Sequence, residues 1–158
     1  MTIRNNITRL LDARGIVYQA IPLPDDRKRS AIEAAEAIGA PPEQVFKTIV
    51  LTRPGKGRPI LAVIPGPAEV DLKSAAAAVG EKKISLPTQS EAEALTGLQA
   101  GGISPLALFD KGFEVLLDEF VEVFEEIYVS GGERGLDIRI GVNDFIAVTE
   151  AKIHSLIK

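Results

Sequence analysis

A single lysine interrupts an apolar run with the composition of a β-strand. Residues 45–51 read Val-Phe-Lys-Thr-Ile-Val-Leu, and the alternation of side chains along a strand places Lys47 on one face and Thr48 on the other. Burial of an ammonium without a partner lowers its pKa or costs stability, so Lys47 either meets an acid or opens into a cleft that receives an anion or a carbonyl group. A lysine on an edge strand that extends its ammonium into solvent would give the same pattern.

Two adjacent glycines begin the segment 101–105, which reads Gly-Gly-Ile-Ser-Pro. Glycine lets the backbone adopt a positive φ or approach a ligand closely, and proline stiffens the far end of the segment. The N–H groups of such a loop can hold a carbonyl oxygen or a ribose hydroxyl. A helix end followed by a turn would use the same residues, so the segment alone leaves both interpretations open.

A second glycine-rich segment, Ser-Gly-Gly-Glu-Arg-Gly at 130–135, joins two predicted strands. It has neither the G-x-G-x-x-G spacing of a dinucleotide-binding loop nor the G-K-[ST] ending of a phosphate-binding loop, so a long hairpin turn accounts for it. In the strand that follows, Asp137 and Arg139 alternate with apolar residues. This pattern predicts that both side chains face solvent.

The composition excludes several kinds of protein and of site. The 158 residues include no cysteine and one histidine, His154, which excludes a thiol nucleophile and a thiolate metal site and argues against a Ser-His-Asp triad. The single histidine also argues against a metal site built from several histidines. Apolar runs stop well short of about 18 residues, so no membrane-spanning helix is expected. The N-terminal residues lack the apolar stretch of a secretory signal, which favours the cytoplasm.

The charge of the chain is mildly negative. Eighteen Lys and Arg stand against 22 Asp and Glu, a net charge of −4. This is the wrong sign for holding nucleic acid by its phosphates alone, so an RNA contact must be small or assisted by a partner, and no DNA partner is expected.

The elements that must position these residues follow from periodicity and from helix and turn signals. Ser30 and Glu33 have the spacing of a capping box at the start of a helix, and Tyr18 lies on the first strand, where a tyrosine usually packs with its hydroxyl hydrogen-bonded. Helices are predicted at 2–14, 31–38, 71–79, 88–95 and within 142–149; strands are predicted at 16–21, 45–51, 59–64, 83–86, 114–117, 126–129 and 136–140. The irregular mixture favours an α+β fold, and the length favours one domain over residues 1–158.

Three segments carry a resemblance to a known family. They are 43–50 (Glu-Gln-Val-Phe-Lys-Thr-Ile-Val), 101–105 (Gly-Gly-Ile-Ser-Pro) and 128–136 (Tyr-Val-Ser-Gly-Gly-Glu-Arg-Gly-Leu). In this order and spacing they resemble the YbaK family of freestanding aminoacyl-tRNA editing proteins, which is related to the editing domain inserted in bacterial prolyl-tRNA synthetases. The resemblance extends from about Tyr18 to Ala151, and the Gly-Gly-Ile-Ser-Pro form is closer to the Cys-tRNA(Pro) deacylase branch than to proteins that clear alanine.

The resemblance implies a fold and a set of site residues. The fold would be a single α+β domain with a mixed, barrel-like β-sheet surrounded by helices, and a small pocket would hold the tRNA 3′ end with its aminoacyl ester. The residues implied in catalysis are Lys47, Gly101 and Asp137. The residues implied in substrate binding are Tyr18, Phe46, Thr48, Gly102, Ile103, Ser104, Pro105, Ser130 and Gly131. The loop at 22–29 lacks the aromatic and histidine residues that the family would place there.

The resemblance also implies the reaction and the partners, and it implies no metal and no cofactor. The reaction would be hydrolysis of the ester of mischarged tRNA(Pro), most simply Cys-tRNA(Pro), with water or the thiol of the substrate as the attacking group. The partners would be the acceptor end of aminoacylated tRNA(Pro) and prolyl-tRNA synthetase. Three alternatives stay open: a deacylase for Ala-tRNA(Pro) or another aminoacyl-tRNA, a module that binds aminoacyl or nucleotide ends without turnover, and a protein-binding fold with a vestigial pocket.

Overall fold

The computed structural model describes residues 3–55 and 57–158, and these contain six α-helices and seven β-strands. The helices are α1 (Asn6–Ala13), α2 (Ala31–Ile38), α3 (Leu72–Ala78), α4 (Gln89–Thr96), α5 (Pro105–Leu108) and α6 (Val142–Thr149). The strands are β1 (Tyr18–Pro22), β2 (Phe46–Leu51), β3 (Ile60–Pro65), β4 (Glu114–Asp118), β5 (Glu126–Ser130), β6 (Leu136–Gly141) and β7 (Lys152–His154). Short 3₁₀ turns at Pro42–Gln44 and Glu119–Val123 precede β2 and β5.

The strands form two sheets. In the three-stranded sheet, β6 lies between β1 and β5 and is antiparallel to both. The four-stranded sheet has the order β2-β3-β4-β7, with β2 antiparallel to β3 and the other neighbours parallel. An isolated parallel bridge between Val45 and Tyr128 joins the two sheets. The predicted α+β class and the mixed sheet are confirmed, but the two sheets do not close into a barrel.

Side-chain caps fix where three of the helices begin. Asn5, Ser30 and Thr88 each accept a hydrogen bond from the backbone N–H three residues later, and the side chain of that later residue accepts one from the backbone N–H of the cap. Each such cap stabilises a helix end by about 0.5–2 kcal/mol. The predicted box of Ser30 and Glu33 is confirmed, and it fixes the start of α2 beside the candidate site.

Strand β3 is the most deeply buried strand, with all six residues buried. Leu61 packs in a cluster that also contains Ile138 of β6, so the two sheets share one core. Ile60, on the other face of β3, packs with Ala75 of α3 and Leu156 near the C-terminus. Because β2 is hydrogen-bonded to this buried strand, one of its edges is held firmly by the core.

The structure differs from the predicted elements in a few places. The strand predicted at 83–86 forms only a bridge between Ser85 and Thr52. The sequence pattern does not predict α5 or β7, because four and three residues are too few to show a period. The helix predicted at 2–14 begins at Asn6 behind its cap, and Thr2 lies outside the described residues. No helix in the described parts of the chain is long and apolar enough to cross a membrane.

Candidate active site

A cavity of about 360 Å³ lies between the two sheets, and we call it the central cavity. Four parts of the chain line it: positions within 23–34, residues 45–48 together with Gly66, positions within 100–103 and positions within 130–137. The last three of these parts contain residues of the three motifs singled out in the sequence. The fold therefore brings segments about 30 to 55 residues apart in the chain to one cavity.

The open edge of β2 faces this cavity. The N–H of Gly66 donates to the carbonyl oxygen of Val45 at 2.9 Å, so the odd-numbered residues of β2 form the hydrogen bonds to β3. The backbone N–H and carbonyl groups of the even-numbered residues point away from β3. Those of Thr52, for example, form hydrogen bonds with the backbone of Ser85 at 2.9 and 3.0 Å. Thr48 lies between the bridges at Val45 and Thr52, and its backbone N–H and carbonyl are therefore directed to the open edge. A bound molecule can use both groups.

Lys47 lies on an edge strand and is one of the residues that line the central cavity. Its side chain is half-buried, and burial lowers the pKa of its ammonium while the charge of Glu69 opposes that change. The neighbouring Phe46 is buried and packs edge-to-face against Phe124, with ring centroids 6.3 Å apart. This packing holds the backbone that carries Lys47 and Thr48.

Asp137 is buried, with 7% of its surface exposed, so the prediction that it faces solvent is wrong. The segment at 23–29 covers it by packing on the start of β6. The N–H of Leu23 donates to the carbonyl oxygen of Gly135 at 2.9 Å. Gly135 has φ +85°, and a Cβ there would lie 2.8 Å from the carbonyl oxygen of Asp25. The strand pattern could not reveal a cover that comes from a distant loop.

The carboxyl group of Asp137 lines the central cavity without a hydrogen bond from the described residues. Burial raises its pKa to about 7, and the charge of Arg29 opposes the rise. Such a group exchanges its proton near neutral pH, which suits a general base or acid. Ser130 pairs with Asp137 across β5 and β6 and also lines the cavity. Arg139 behaves more as predicted, since 41% of its side chain is exposed.

Arg29 is a candidate site residue that the sequence analysis did not find. Only 4% of its side chain is exposed, and it lines the central cavity. Nη1 donates to the carbonyl oxygen of Asp25 at 2.7 Å, and Nη2 donates to its Oδ1 at 2.8 Å. Hydrogen bonding from the backbone of Arg27 lowers the pKa of the Asp25 carboxyl, and Arg29 adds to this. In the sequence, Arg29 is one of several charges in a run, and nothing distinguishes it from Arg27.

The glycine segment is held against this charged loop. Gly101 has φ +91°, and a Cβ there would lie 3.7 Å from the backbone nitrogen of Arg29. Ala100 is fixed on both sides: its N–H donates to Oε2 of Glu93 and its carbonyl oxygen accepts from Nε of Arg134, each at 2.7 Å. Gly101 and Ile103 therefore line the cavity on a firmly anchored backbone.

Comparison with known proteins identifies the family. Residues 26–148 match the model of the aminoacyl-tRNA editing domain. The chain belongs to this family. The family expected from the three motifs is thus confirmed.

The relatives of this editing domain include a protein of similar length and a region of a much longer ligase. The chain is 33% identical over 154 residues to an Enterococcus faecalis protein that bears the provisional name Cys-tRNA(Pro)/Cys-tRNA(Cys) deacylase EbsC, covering 97% of this chain and 93% of that protein. It is 28% identical over 115 residues to a proline–tRNA ligase of Staphylococcus aureus, and this region is 73% of this chain and 19% of the ligase. A crystal structure provisionally described as a trans-editing enzyme for prolyl-tRNA synthetase superimposes with a TM-score of 0.83 at 27% identity, covering 99% of each chain.

Several residues that the resemblance implied in binding lie outside the lining of the central cavity in this editing domain. Ser104 is fully buried and its Oγ accepts from the N–H of Leu106, so it caps α5, and Pro105 is the first residue of that helix. A Cβ at Gly102 would lie 2.9 Å from Cα of Glu133. These positions support the shape of the loop around Gly101.

Gly131 and Tyr18 also lie outside that lining. The N–H of Gly131 donates to the carbonyl oxygen of Leu136 at 2.8 Å and closes the β5–β6 connection. Tyr18 pairs with Ile140, and its hydroxyl donates to Oδ1 of Asp12 at 2.9 Å. The structure therefore places Tyr18 in the packing of β1 against α1, the role that the sequence alone favours for a tyrosine on a strand.

Proposed function

We propose that this editing domain acts in trans as a deacylase that hydrolyses the aminoacyl ester of mischarged tRNA(Pro), with Cys-tRNA(Pro) as its substrate. The observation that supports this most directly is the meeting of Lys47, Gly101 and Asp137 at one cavity. The names of the freestanding relative and of the structural neighbour point to the same class of reaction. We expect the protein to act in the cytoplasm, where aminoacyl-tRNAs are formed.

The reaction needs orientation and proton transfer more than a protein nucleophile. In hydrolysis, water attacks the ester carbonyl carbon, the bond from that carbon to the ribose oxygen breaks, and the ribose oxygen takes up a proton. A cysteinyl ester also carries a thiol that can attack its own carbonyl. Asp137, with a pKa of about 7, would accept the proton of the attacking group in its ionised form. An activated ester held in this geometry reacts without a covalent enzyme intermediate.

Lys47 and two backbone positions would hold the reacting end. The ammonium of Lys47 suits a phosphate oxygen of the terminal nucleotide or the developing charge on the ester. The backbone N–H of Thr48, directed to the open edge of β2, and the backbone of Gly101 would bind the carbonyl or ribose oxygens. These groups come from a strand and an anchored loop, so little reorganisation is needed when charge develops.

Cavity size supports a small amino acid. A volume of about 360 Å³ lies near the lower end of the range of about 300–1,000 Å³ for small-molecule sites. Ile103 and Phe46 give it apolar lining. A small cavity can exclude a larger aminoacyl group by size. In contrast, the loss of one methylene contact changes the binding free energy by only about 1–3 kcal/mol, which discriminates poorly against a smaller group.

The test is release of labelled amino acid from Cys-tRNA(Pro), Ala-tRNA(Pro) and Pro-tRNA(Pro), with and without prolyl-tRNA synthetase. We expect selective loss of cysteine, and Lys47→Ala should lower kcat/KM at least about tenfold, equivalent to about 1.4 kcal/mol of transition-state stabilisation. Lys111→Ala, at an exposed position before β4, is the matched control. Faster loss of alanine would change the substrate and keep the reaction class. No loss from any substrate, even with the synthetase present, would favour a binding module instead.

A further inference from the structure

A second cavity, of about 520 Å³, adjoins the central cavity. Lys47 lines both cavities. A bound nucleic-acid strand that leaves the central cavity past this lysine would therefore enter the second cavity. We call it the lysine groove, because Lys73 and Lys158 line it as well. The mechanism proposed above uses only the central cavity.

The lining of the lysine groove combines cationic and apolar side chains. Leu86 is 55% exposed and, with Ile49, gives the groove an apolar surface. Glu69 is engaged by Lys158 at 3.5 Å, whereas no ion pair within the described residues includes Lys47 or Lys73. Single-stranded nucleic acid is bound by this combination, in which cations meet phosphates and apolar surface covers the face of a base.

Two other cavities adjoin the central cavity and could give a strand a way out, since Arg27 lines all three. One of these is lined by three carboxylates and two guanidinium groups. The other is lined by two of each and by no apolar side chain. The lysine groove has three ammonium groups and two carboxylates. Among the cavities found in the described residues next to the central one, it alone combines an excess of cationic side chains with an apolar surface.

We propose that the lysine groove binds the penultimate nucleotide of the tRNA acceptor strand, with its base against Leu86 and its phosphate near Lys47 and Lys73. The proposal rests on the proposed function, because the terminal nucleotide and its ester must occupy the central cavity. Such a contact is small, which fits a protein of net charge −4 that reads only the end of an RNA. It also gives a reason for an exposed leucine beside a half-buried lysine.

The experiment measures binding and turnover separately. A fluorescent single-stranded RNA that ends in CCA is titrated by anisotropy, with adenosine 5′-monophosphate as a competitor that stands for the terminal nucleotide in the central cavity. Lys73→Glu and Leu86→Ser change exposed residues of the groove. Lys111→Glu makes the same charge change as Lys73→Glu and serves as its control. Lys111 lies at the far end of the sheet from Lys47, because β2 is antiparallel to β3 and β3 is parallel to β4.

We expect Lys73→Glu to raise the Kd of the RNA at least about fivefold and to weaken its dependence on salt. Leu86→Ser should raise the Kd about threefold without changing the salt dependence. Inhibition by adenosine 5′-monophosphate should stay within about twofold, and Lys111→Glu should match the wild type.

Any of three results would overturn the proposal. The first is that the RNA does not bind at all, or that both groove variants leave its Kd unchanged. The second is that the variants weaken binding of the RNA and of the mononucleotide equally. The third is that Lys111→Glu weakens RNA binding as much as Lys73→Glu does. The deacylation assay on the same proteins separates the two proposals. Turnover with no effect of the groove variants on RNA binding refutes the groove and keeps the deacylase. Groove-dependent binding without turnover refutes the deacylase and keeps the groove.

Discussion

The guanidinium of Arg29 and the carboxyl of Asp137 are both buried and line the same cavity, although 107 positions of sequence separate them. Asp25 anchors Arg29 through two hydrogen bonds, whereas Asp137 has none from the described residues. Arg29 therefore acts on Asp137 through its charge. A fixed positive charge beside a buried carboxyl sets the pH at which that carboxyl becomes a base.

Replacement of Arg29 should shift the pH dependence of deacylation. Arg29 opposes the rise in the pKa of Asp137, so Arg29→Met should raise that pKa above its value of about 7. If the ionised carboxylate is the active form, the rise of kcat/KM with pH moves to higher pH, and Arg29→Lys should restore most of the wild-type profile. The measurement is kcat/KM from pH 5.5 to 9. An unshifted profile with a uniformly lower rate would mean that Arg29 is only a structural residue.

Removal of the charge at Asp137 should change how stability depends on pH. Because burial raises the folded-state pKa from 3.8 to about 7, the folded protein holds more protons between these values, and stability is lost as pH rises through that range. Over the whole range, the free energy of unfolding should fall by about 4 kcal/mol. Asp137→Asn should lose much less stability than the wild type between pH 5 and pH 8.5. Thermal unfolding at these two pH values tests it; identical pH dependence in both proteins would contradict the burial of an ionisable group here.

Alanine at Gly102 should damage the loop that carries Gly101. Its Cβ would lie 2.9 Å from backbone atoms of Glu133, which cannot move as a flexible side chain does. We expect a loss of roughly 1–3 kcal/mol in unfolding free energy together with lower activity. Gly80→Ala is a matched control: it has φ +72° with nothing within 4 Å, so it should cost only the conformational strain of about 1–2 kcal/mol and leave kcat/KM unchanged. Denaturant unfolding and the deacylation assay separate the two.

The hydroxyl of Tyr18 should matter for stability and not for turnover. It donates to Asp12 on α1, away from the central cavity. Tyr18→Phe should cost about 1 kcal/mol of unfolding free energy and keep kcat/KM within about twofold of the wild type. A large loss of activity in a variant of normal stability would return Tyr18 to the site that the family resemblance suggested.

Much of the local structure follows from the sequence because its causes are local. The capping box of Ser30 and Glu33 lies within four residues, and the continuous apolar run of β3 reports burial on both faces wherever the strand is placed. The three motifs also identify the family, because their residue types, order and spacing can be recognised without knowing which residues are in contact. Lys47 could be selected because an isolated charge in an apolar strand conflicts with its surroundings.

The tertiary structure decided what covers each face and which charges meet. Alternation along β6 tells which side chains share a face with Asp137, but the loop at 23–29, more than 100 residues away, decides that this face is buried. The same packing selects Arg29 from a run of charged residues that look equivalent in sequence. For Tyr18, the tertiary structure shows the opposite: the family resemblance assigned this residue to the pocket, but its hydroxyl donates to Asp12 of α1. Periodicity reports the direction of a side chain relative to its own backbone, whereas burial and electrostatic partners depend on segments that only folding brings together.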